Sequence, residues 1–455
     1  MNLYEKISYT KLFVYTYLVL FIFLLSYTFY RAEFIHNGNQ LPYYFKYYLI
    51  FILGVFFWSL VLFLSEKKKL IIIILASVII FLLYFYEIVR FYAPTILKSI
   101  PVESQLKEET KHDIIENLKK NEGINAVPSI FPKALLGKNL IDDKIDIFPL
   151  GGVSNKITVF CKEGKSFSIY KSDRYGFNNP DKEWDKEKIF WFLIGDSFVQ
   201  GSCVQPGEDF ASQIRFFTKE SALSLGMSGN GPLIELASLI EYAVKKKPKI
   251  VLWFYFERND LDDLSNEKTN PIFINYLNEG FSQELYSKQE EIDKKLIKYI
   301  NLAKQKILGK INTSKKVSEN FSSFKRIIRL KIIRDKMGLD RGLDFGVDPL
   351  LEKIIVKANN LVNTWDGKLF FVYLPDKERY SKGKIKNDSY LKRSQIINLI
   401  KKLNIPLIDI HEDFFVMQND PISFYAERIY GHYSPEGYSK ISKTIIKKVR
   451  ELNSF

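Results

Sequence analysis

Four short segments of the chain carry the polar groups that acyl transfer needs. They are "LIGDSFVQG" with Ser197, "LGMSGNGP" with Gly229, "ERND" with Asn259 and "GHYSPEGY" with His432. Acyl transfer requires a nucleophile, a base that takes its proton, and N–H donors where the oxyanion forms. Histidine, with an ordinary pKa of about 6.5, accepts and returns a proton near neutral pH. These residue types therefore predict a serine acyl-transfer site.

Each segment also has a purely structural explanation. Asp196 and Ser197 suit a turn followed by a helix cap, and glycines suit tight bends. Asn259 suits a helix cap, and His432 suits an exposed loop. One short motif alone is weak evidence for a function. The presence of all four segments in one chain favours the catalytic interpretation.

Strands that alternate with helices must position these segments. The sequence predicts strands at Lys188–Ile194, Ser221–Leu225, Lys249–Phe256, Lys368–Pro375 and Ile405–Ile410, and helices at Glu208–Glu220, Pro232–Lys246, Tyr390–Leu403 and from Pro435 onward. This alternation is typical of a parallel sheet in an α/β/α sandwich. Because ligands bind beyond the carboxyl ends of parallel strands, we expect the four segments to meet at one edge of the sheet.

The order of the segments resembles the SGNH (GDSL-type) hydrolase family, which is named for its Ser, Gly, Asn and His blocks. "SDRYGFNNP" (Ser172–Pro180) is similar to the approach to the serine in many bacterial members, and the resemblance covers about residues 170–260 closely and 365–450 loosely. It implies a flavodoxin-like α/β/α fold and esterase, lipase or O-acyltransferase chemistry without cofactor or metal. By position, Ser197 would be the nucleophile and His432 the base. The oxyanion donors would be the Ser197 N–H, Gly229 and Asn259, with Gly226 and Gly231 as alternatives to Gly229.

The acid that orients the histidine is missing from its usual place in that family. Ile429 stands three residues before His432, where the family has an aspartate. We predict Glu427 as the orienting acid because it is close in sequence; Asp420, Asp413 and a backbone carbonyl are the alternatives. Loss of this group removes stabilisation from the imidazolium. A catalytically silent SGNH-like envelope protein that binds glycan or a membrane partner is therefore the alternative function.

Other catalytic and metal-binding motifs fail on spacing. The elbow G-x-S-x-G is excluded because Val199 occupies the position of its second glycine, and "GMSGNG" does not fit G-x-G-x-x-G. Four histidines and two cysteines form no zinc motif. The sequence leaves open whether Cys161 and Cys203 form a disulfide.

Three apolar stretches precede all of these segments. They occupy Leu12–Tyr30, Tyr47–Leu64 and residues 70–88, and a bilayer-spanning helix needs roughly 20 such residues. A run of three lysines, residues 67–69, separates the second stretch from the third, and such a cluster favours the cytoplasmic side. We therefore expect a multi-pass protein of the inner or cytoplasmic membrane with an extracytoplasmic (periplasmic) C-terminal domain.

The chain is predicted to have three parts. These are a membrane domain at residues 1–92, a connector at 93–150 and an SGNH-like domain at 151–455 with a helical insert at about 261–349. The insert is expected to hold two amphipathic helices, and the second, around Phe321–Met337, is rich in lysine and arginine. That helix either lies on a membrane surface, covers a cleft or presents a solvated face.

The net charge of +14 does not indicate a nucleic-acid partner, because the chain contains no nucleic-acid-binding module. The expected partners are an acyl ester of a polysaccharide or lipid, membrane lipid, and a membrane protein that donates the acyl group. The sequence thus predicts a membrane-anchored extracytoplasmic serine acyl-ester hydrolase or O-acyltransferase that acts on glycan or lipid esters of the cell surface.

Overall fold

The residues of the chain fall into two compact units. The structure is a computed structural model that describes residues 9–35, 38, 41–98, 110–136, 147–164, 166–313, 325–339, 346–381 and 392–453. The helical unit contains residues 1–106 and 307–345, and the sheet unit contains residues 107–306 and 346–455. These bounds differ from the predicted parts. Residues from 107 onward, assigned to a connector, lie in the sheet unit, and the predicted insert is divided between the two units.

Three long apolar helices form the core of the helical unit. α1 (Tyr9–Phe29) continues as a π-helix at Tyr30–Ile35, α2 covers Leu41–Val61 and α3 covers Glu66–Lys98. All three are long and apolar enough to cross a membrane, as the sequence predicted. The lysine cluster at residues 67–69 lies in the first turn of α3 and not in a loop.

The remaining helices are mostly short. They are α4 (Lys111–Glu122), α5 (Pro132–Leu135), α6 (Ser197–Gln200), α7 (Phe210–Thr218), α8 (Pro232–Ser238), α9 (Val244–Lys246), α10 (Asp260–Glu267), α11 (Pro271–Asn275), α12 (Gln289–Thr313), α13 (Lys331–Lys336), α14 (Pro349–Asn363), α15 (Arg393–Lys402), α16 (Ile410–Asp413) and α17 (Pro435–Asn453). The predicted helix Pro232–Lys246 is present but contains a π-helix at Leu239–Ala243 between α8 and α9. The predicted basic helix around Phe321–Met337 is interrupted by a turn at residues 329–330, which separates the helical residues 325–328 from α13. Residues 321–324 lie outside the described residues.

Two sheets lie in the sheet unit. Their strands are β1 (Val127–Pro128), β2 (Ile157–Val159), β3 (Ile169–Lys171), β4 (Trp191–Ile194), β5 (Ala222–Ser224), β6 (Ile250–Phe256), β7 (Lys368–Leu374) and β8 (Leu407–Asp409). In the small sheet, β2 pairs parallel with β1 and antiparallel with β3. The large sheet is fully parallel, in the order β5-β4-β6-β7-β8. This is the flavodoxin-like order 2-1-3-4-5, so the predicted α/β/α fold class is confirmed.

Both faces of the large sheet are buried, which explains the continuously apolar sequence of its central strand β6. In β6, Val251, Trp253 and Tyr255 belong to the hydrophobic core on one face, while Leu252 and Phe254 belong to the core on the other. Helices α8 and α14 contribute to the first core, and α7 and α17 contribute to the second. β4 lies between β5 and β6, where the strand order reverses. The carboxyl ends at this reversal form the crevice in which open α/β sheets bind ligands.

Candidate active site

The turn after β4 presents Ser197 at the carboxyl edge of the sheet. Gly195 begins the turn, and a Cβ added there would lie 2.6 Å from Cγ2 of Val199, so a larger residue does not fit. Asp196 caps α6 by accepting a hydrogen bond from the N–H of Phe198 at 2.9 Å. Ser197 is therefore the first residue of a short helix, with a half-buried side chain.

A continuous hydrogen-bonded chain joins Ser197, His432 and Glu163. Oγ of Ser197 lies 2.9 Å from Nε2 of His432, and Nδ1 of His432 lies 2.7 Å from Oε1 of Glu163. The other carboxylate oxygen of Glu163 accepts from the backbone N–H of His432 at 3.2 Å. Because the carboxylate accepts from Nδ1, the proton of the neutral imidazole resides there, and Nε2 can accept the proton of the serine hydroxyl.

The structure brings together Ser197 and His432 but places a different acid on the imidazole from the one expected. The prediction of Glu427 as the orienting acid needs correction, since Glu163 holds Nδ1 and Glu427 lies beside Gly164. The other candidates are engaged elsewhere: Asp420 pairs with Arg428, and Asp413 pairs with Lys448. Glu163 precedes the nucleophile in the chain, far in sequence from His432, so proximity in sequence does not identify it. The catalytic roles of Ser197 and His432 stay predictions.

A disulfide between Cys161 and Cys203 ties the loop of Glu163 to the loop that follows α6. This pairing, which the sequence left open, is the signal that could have identified Glu163, since it places that loop beside the nucleophile. Ligand atoms of Glu163, Cys203 and His432 lie within 4.8 Å of one another, and among the described residues this is the only group with metal-like spacing. A disulfide sulfur is not a thiolate ligand, so only two of the three residues could bind a metal.

Gln200 connects the nucleophile helix to the loop of Gly229. Its Oε1 accepts from the N–H of Ser228 at 2.8 Å and from the Ser228 hydroxyl at 2.9 Å, and its Nε2 donates to the hydroxyl of Tyr170 at 3.1 Å. Gly229 follows with a φ of 73°, a backbone conformation that favours glycine. The network fixes the backbone that carries the Gly229 N–H.

Gly226 and Gly231, the alternatives to Gly229, have structural roles. The N–H of Gly231 donates to the buried carboxylate of Glu267 at 2.5 Å, which makes it a poor oxyanion donor. A Cβ on Gly226 would lie 2.4 Å from the backbone nitrogen of Gln200. Glycine at residue 226 therefore allows the two loops to approach closely.

The buried carboxylate of Asp263 holds Asn259. Nδ2 of Asn259 donates to Oδ2 of Asp263 at 2.6 Å. Lys133 forms an ion pair with the other oxygen of Asp263, and its side chain covers Gly229, where an added Cβ would be 2.5 Å from Cδ of Lys133. Burial raises the pKa of Asp263 to about 6, against the opposing effects of Lys133 and Asn259. Lys133 and Asp263, which sequence reasoning missed, thus connect the segments of Gly229 and Asn259.

The segment Ser172–Pro180 connects the elements that carry the site. Its buried Asp173 accepts hydrogen bonds from the N–H groups of Tyr175 and Phe177 and from the side chains of Asn179 and Trp184. Asn179 also bonds both backbone groups of Ser224 in β5, each at 2.8 Å. Asn178 donates to the carbonyl of Gln200 at 2.9 Å. The "SDRYGFNNP" motif therefore has a supporting role at this site.

Further buried acids lie in α8 and α10. Burial raises the pKa of Glu235 and Asp260 well above the usual range, and neighbouring carboxylates raise it further. Burial also raises the pKa of Glu267 to about 8, although three N–H groups at the start of α8 bind its carboxylate. Glu267 therefore favours its neutral form near pH 7, and burial shifts the pKa values of Glu235 and Asp260 in the same direction.

Comparison with known proteins gives limited similarity. No protein-family model matches the chain, and no curated protein matches it. Among solved structures, the chain is similar to one described as a lipolytic protein of the G-D-S-L family from Desulfitobacterium hafniense DCB-2. The two share 14% identity over 57% of this chain and 99% of that chain, with a TM-score of 0.31. The fold assignment here rests on the strand order, and the candidate site rests on its own geometry.

Proposed function

We propose that the chain is a membrane-anchored serine acyl-ester hydrolase or O-acyltransferase. The observation that carries the proposal is the Ser197–His432–Glu163 chain, with its contacts of 2.9 and 2.7 Å. The flavodoxin-like strand order and the order of the SGNH-like motifs support it.

In the proposed reaction, Oγ of Ser197 attacks the ester carbonyl while Nε2 of His432 takes the hydroxyl proton. Glu163 holds the ring and stabilises the imidazolium that forms. The N–H groups of Ser197 and Gly229 would bind the oxyanion, together with the Nδ2 hydrogen of Asn259 that Asp263 does not use. His432 then gives its proton to the leaving alcohol. Water or a sugar hydroxyl, deprotonated by His432, releases the acyl group from Ser197.

The three apolar helices support a substrate close to a membrane. We propose an acyl ester of cell-surface glycan or lipid, reached from the extracytoplasmic side, and a membrane protein as acyl donor in the transferase version. The alternative of a catalytically silent binding protein rested on the lack of an acid beside His432. Since Glu163 lies there, that support is gone.

A fluorophosphonate probe tests the nucleophile. Purified full-length protein should be labelled, the Ser197→Ala variant should not, and the His432→Ala variant should react far more slowly. No labelling of well-folded wild-type protein would contradict the proposal. Incubation with p-nitrophenyl acetate, with and without an oligosaccharide acceptor, then separates hydrolysis, which releases acetate, from transfer, which acetylates the sugar.

A further inference from the structure

A basic segment of the helical unit packs on the ends of the long helices. Residues 325–328 are helical, Leu330 has a left-handed φ of 47°, and α13 follows. We refer to residues 325–337 as the return segment. In sequence it contains six lysines and arginines and one acid, Asp335.

Glu87 of α3 holds the backbone of the return segment. This side chain is 1% exposed, and its carboxylate accepts from the N–H groups of Ile332 and Ile333 at 2.7 and 3.1 Å. Burial of an acidic side chain in an apolar helix costs free energy unless the side chain is paired. The segment therefore packs at a defined place on α3.

Tyrosines of α2 and α3 complete the contact. Arg334 donates to the hydroxyls of Tyr43 and Tyr47, each at 2.8 Å, and Lys336 donates to the hydroxyl of Tyr86. The hydroxyl of Tyr84 donates to the carbonyl of residue 328 at 3.1 Å.

These contacts place the return segment at one end of the α2–α3 hairpin, where a membrane-spanning hairpin would meet the membrane–water interface. Residues 62–65 join α2 to α3, so the start of α2 and the later turns of α3 lie at the other end of this helical hairpin. Tyrosine is enriched where membrane helices meet the headgroups, and four tyrosines contact the segment here.

The outward surface of the return segment combines cations with apolar side chains. Arg326 and Arg329 are exposed. Ile328 and Met337 are 50% and 66% exposed. Arginine binds phosphate through a planar set of donors, and exposed apolar residues at headgroup depth can enter the acyl-chain region.

We propose that the return segment binds the phosphate headgroups of anionic phospholipids. Arg326 and Arg329 contact the phosphate, while Ile328 and Met337 insert beside the acyl chains. A lipid explains this combination of cations and exposed apolar side chains better than free phosphate does, because a soluble anion does not bind apolar side chains. The proposal does not depend on the activity of the sheet unit.

Native mass spectrometry of the full-length protein in detergent tests the proposal. The probes are 1-palmitoyl-2-oleoyl phosphatidylglycerol and the phosphatidylcholine with the same acyl chains. Each cation near a membrane surface is worth roughly fivefold in affinity, so the Arg326→Gln/Arg329→Gln variant should bind phosphatidylglycerol about 25-fold more weakly. Its binding of phosphatidylcholine, whose headgroup has no net charge, should weaken much less.

The matched control is Lys119→Gln/Lys120→Gln, which removes two exposed charges from α4 in the sheet unit. It should bind phosphatidylglycerol as the wild type does. Equal wild-type affinity for the two lipids, an equal loss in the control, or displacement of the lipid by glycerol phosphate at similar concentration would overturn the proposal. Thermal unfolding checks that each variant is folded.

Discussion

At the residue scale, Glu163 governs the orientation of His432 because it binds both the ring and the backbone N–H of that residue. Glu163→Gln keeps the shape of the side chain but removes the charge that stabilises imidazolium. We expect kcat to fall by about 10²–10⁴ with little change in KM. Initial rates on p-nitrophenyl acetate measure this effect. Glu427→Gln is the control and should retain wild-type kcat; an equal loss in both variants would contradict the assignment.

Asp263 is expected to keep the N–H side of the Asn259 amide directed at the oxyanion. Its carboxylate can only accept, whereas an asparagine at residue 263 can also donate and would allow the Asn259 amide to flip. Asp263→Asn should therefore lower kcat by about 10- to 100-fold and leave KM nearly unchanged. The measurement is a double-mutant cycle with Asn259→Ala. The double variant should be no slower than Asn259→Ala alone, and additive losses would show that Asp263 acts elsewhere.

The residues of the candidate site differ in how far the sequence can identify them. Ser197 lies at a strand-to-helix turn and His432 lies just before a helix. Both positions require particular residue types nearby, so both motifs can be recognised in the sequence. Glu163 and Lys133 lie in segments without such a pattern. They reach the site through tertiary contacts, and neither an orienting acid nor an ion pair needs a fixed distance along the chain.

At the element scale, the Cys161–Cys203 disulfide is expected to hold the loop of Glu163 in place. It crosslinks residues 42 apart, and loss of a crosslink of this length costs about 3–4 kcal/mol of stability. The Cys161→Ser/Cys203→Ser variant should unfold at a lower temperature and show a lower kcat, because the carboxylate no longer stays on Nδ1. In the background of Glu163→Gln, removal of the disulfide should reduce kcat little further. A full additional loss would mean that the disulfide supports other parts of the site.

Glu235 in α8 should make the sheet unit less stable at high pH. Burial and the nearby Asp260 raise its pKa well above the ordinary glutamate value of 4.5. The unfolded chain therefore loses this proton at lower pH than the folded one, and stability falls as the pH rises above about 4.5. Glu235→Gln should have a higher Tm than the wild type at pH 9 and a similar Tm at pH 5. Each kcal/mol of added stability corresponds to an increase in Tm of about 2–4 °C. Differential scanning calorimetry measures this, with the exposed Glu187→Gln as control; a pH-independent difference would contradict it.

The elements themselves were predictable where burial dictates the pattern. β6, and β7 after Lys368, are apolar because both faces of the sheet are covered, so their positions follow from sequence. The ends of the strands could not be predicted from the sequence, because pairing with neighbouring strands determines them. For example, β4 begins at Trp191, the first residue that pairs with β5 and β6. The π-helix after α8 adds a residue to one turn without a change in composition, which leaves no pattern to detect.

At the scale of the whole molecule, the division into units depends on contacts between distant segments. Residues 307–345 belong to the helical unit although more than two hundred residues of sheet unit and linker separate them from α3. From its basic composition, this stretch was expected to lie on a membrane surface, to cover a cleft or to present a solvated face. The contacts between Glu87 and this stretch, and between its Arg334 and Tyr47, favour the position at a membrane surface over the other two.

Two independent features predict the same orientation across the membrane. The lysine cluster at residues 67–69 favours the cytoplasm at the start of α3, and one span then places later residues outside. The disulfide of the sheet unit persists best in an oxidising compartment, which is also outside the cytoplasm. Alkaline phosphatase, active only outside, should therefore be active when fused after Phe455 and inactive when fused after Leu64, with the reverse pattern for β-galactosidase. An inactive phosphatase at Phe455 would place Ser197 in the cytoplasm, where cell-surface glycan esters do not occur, and the substrate would have to be an intracellular ester.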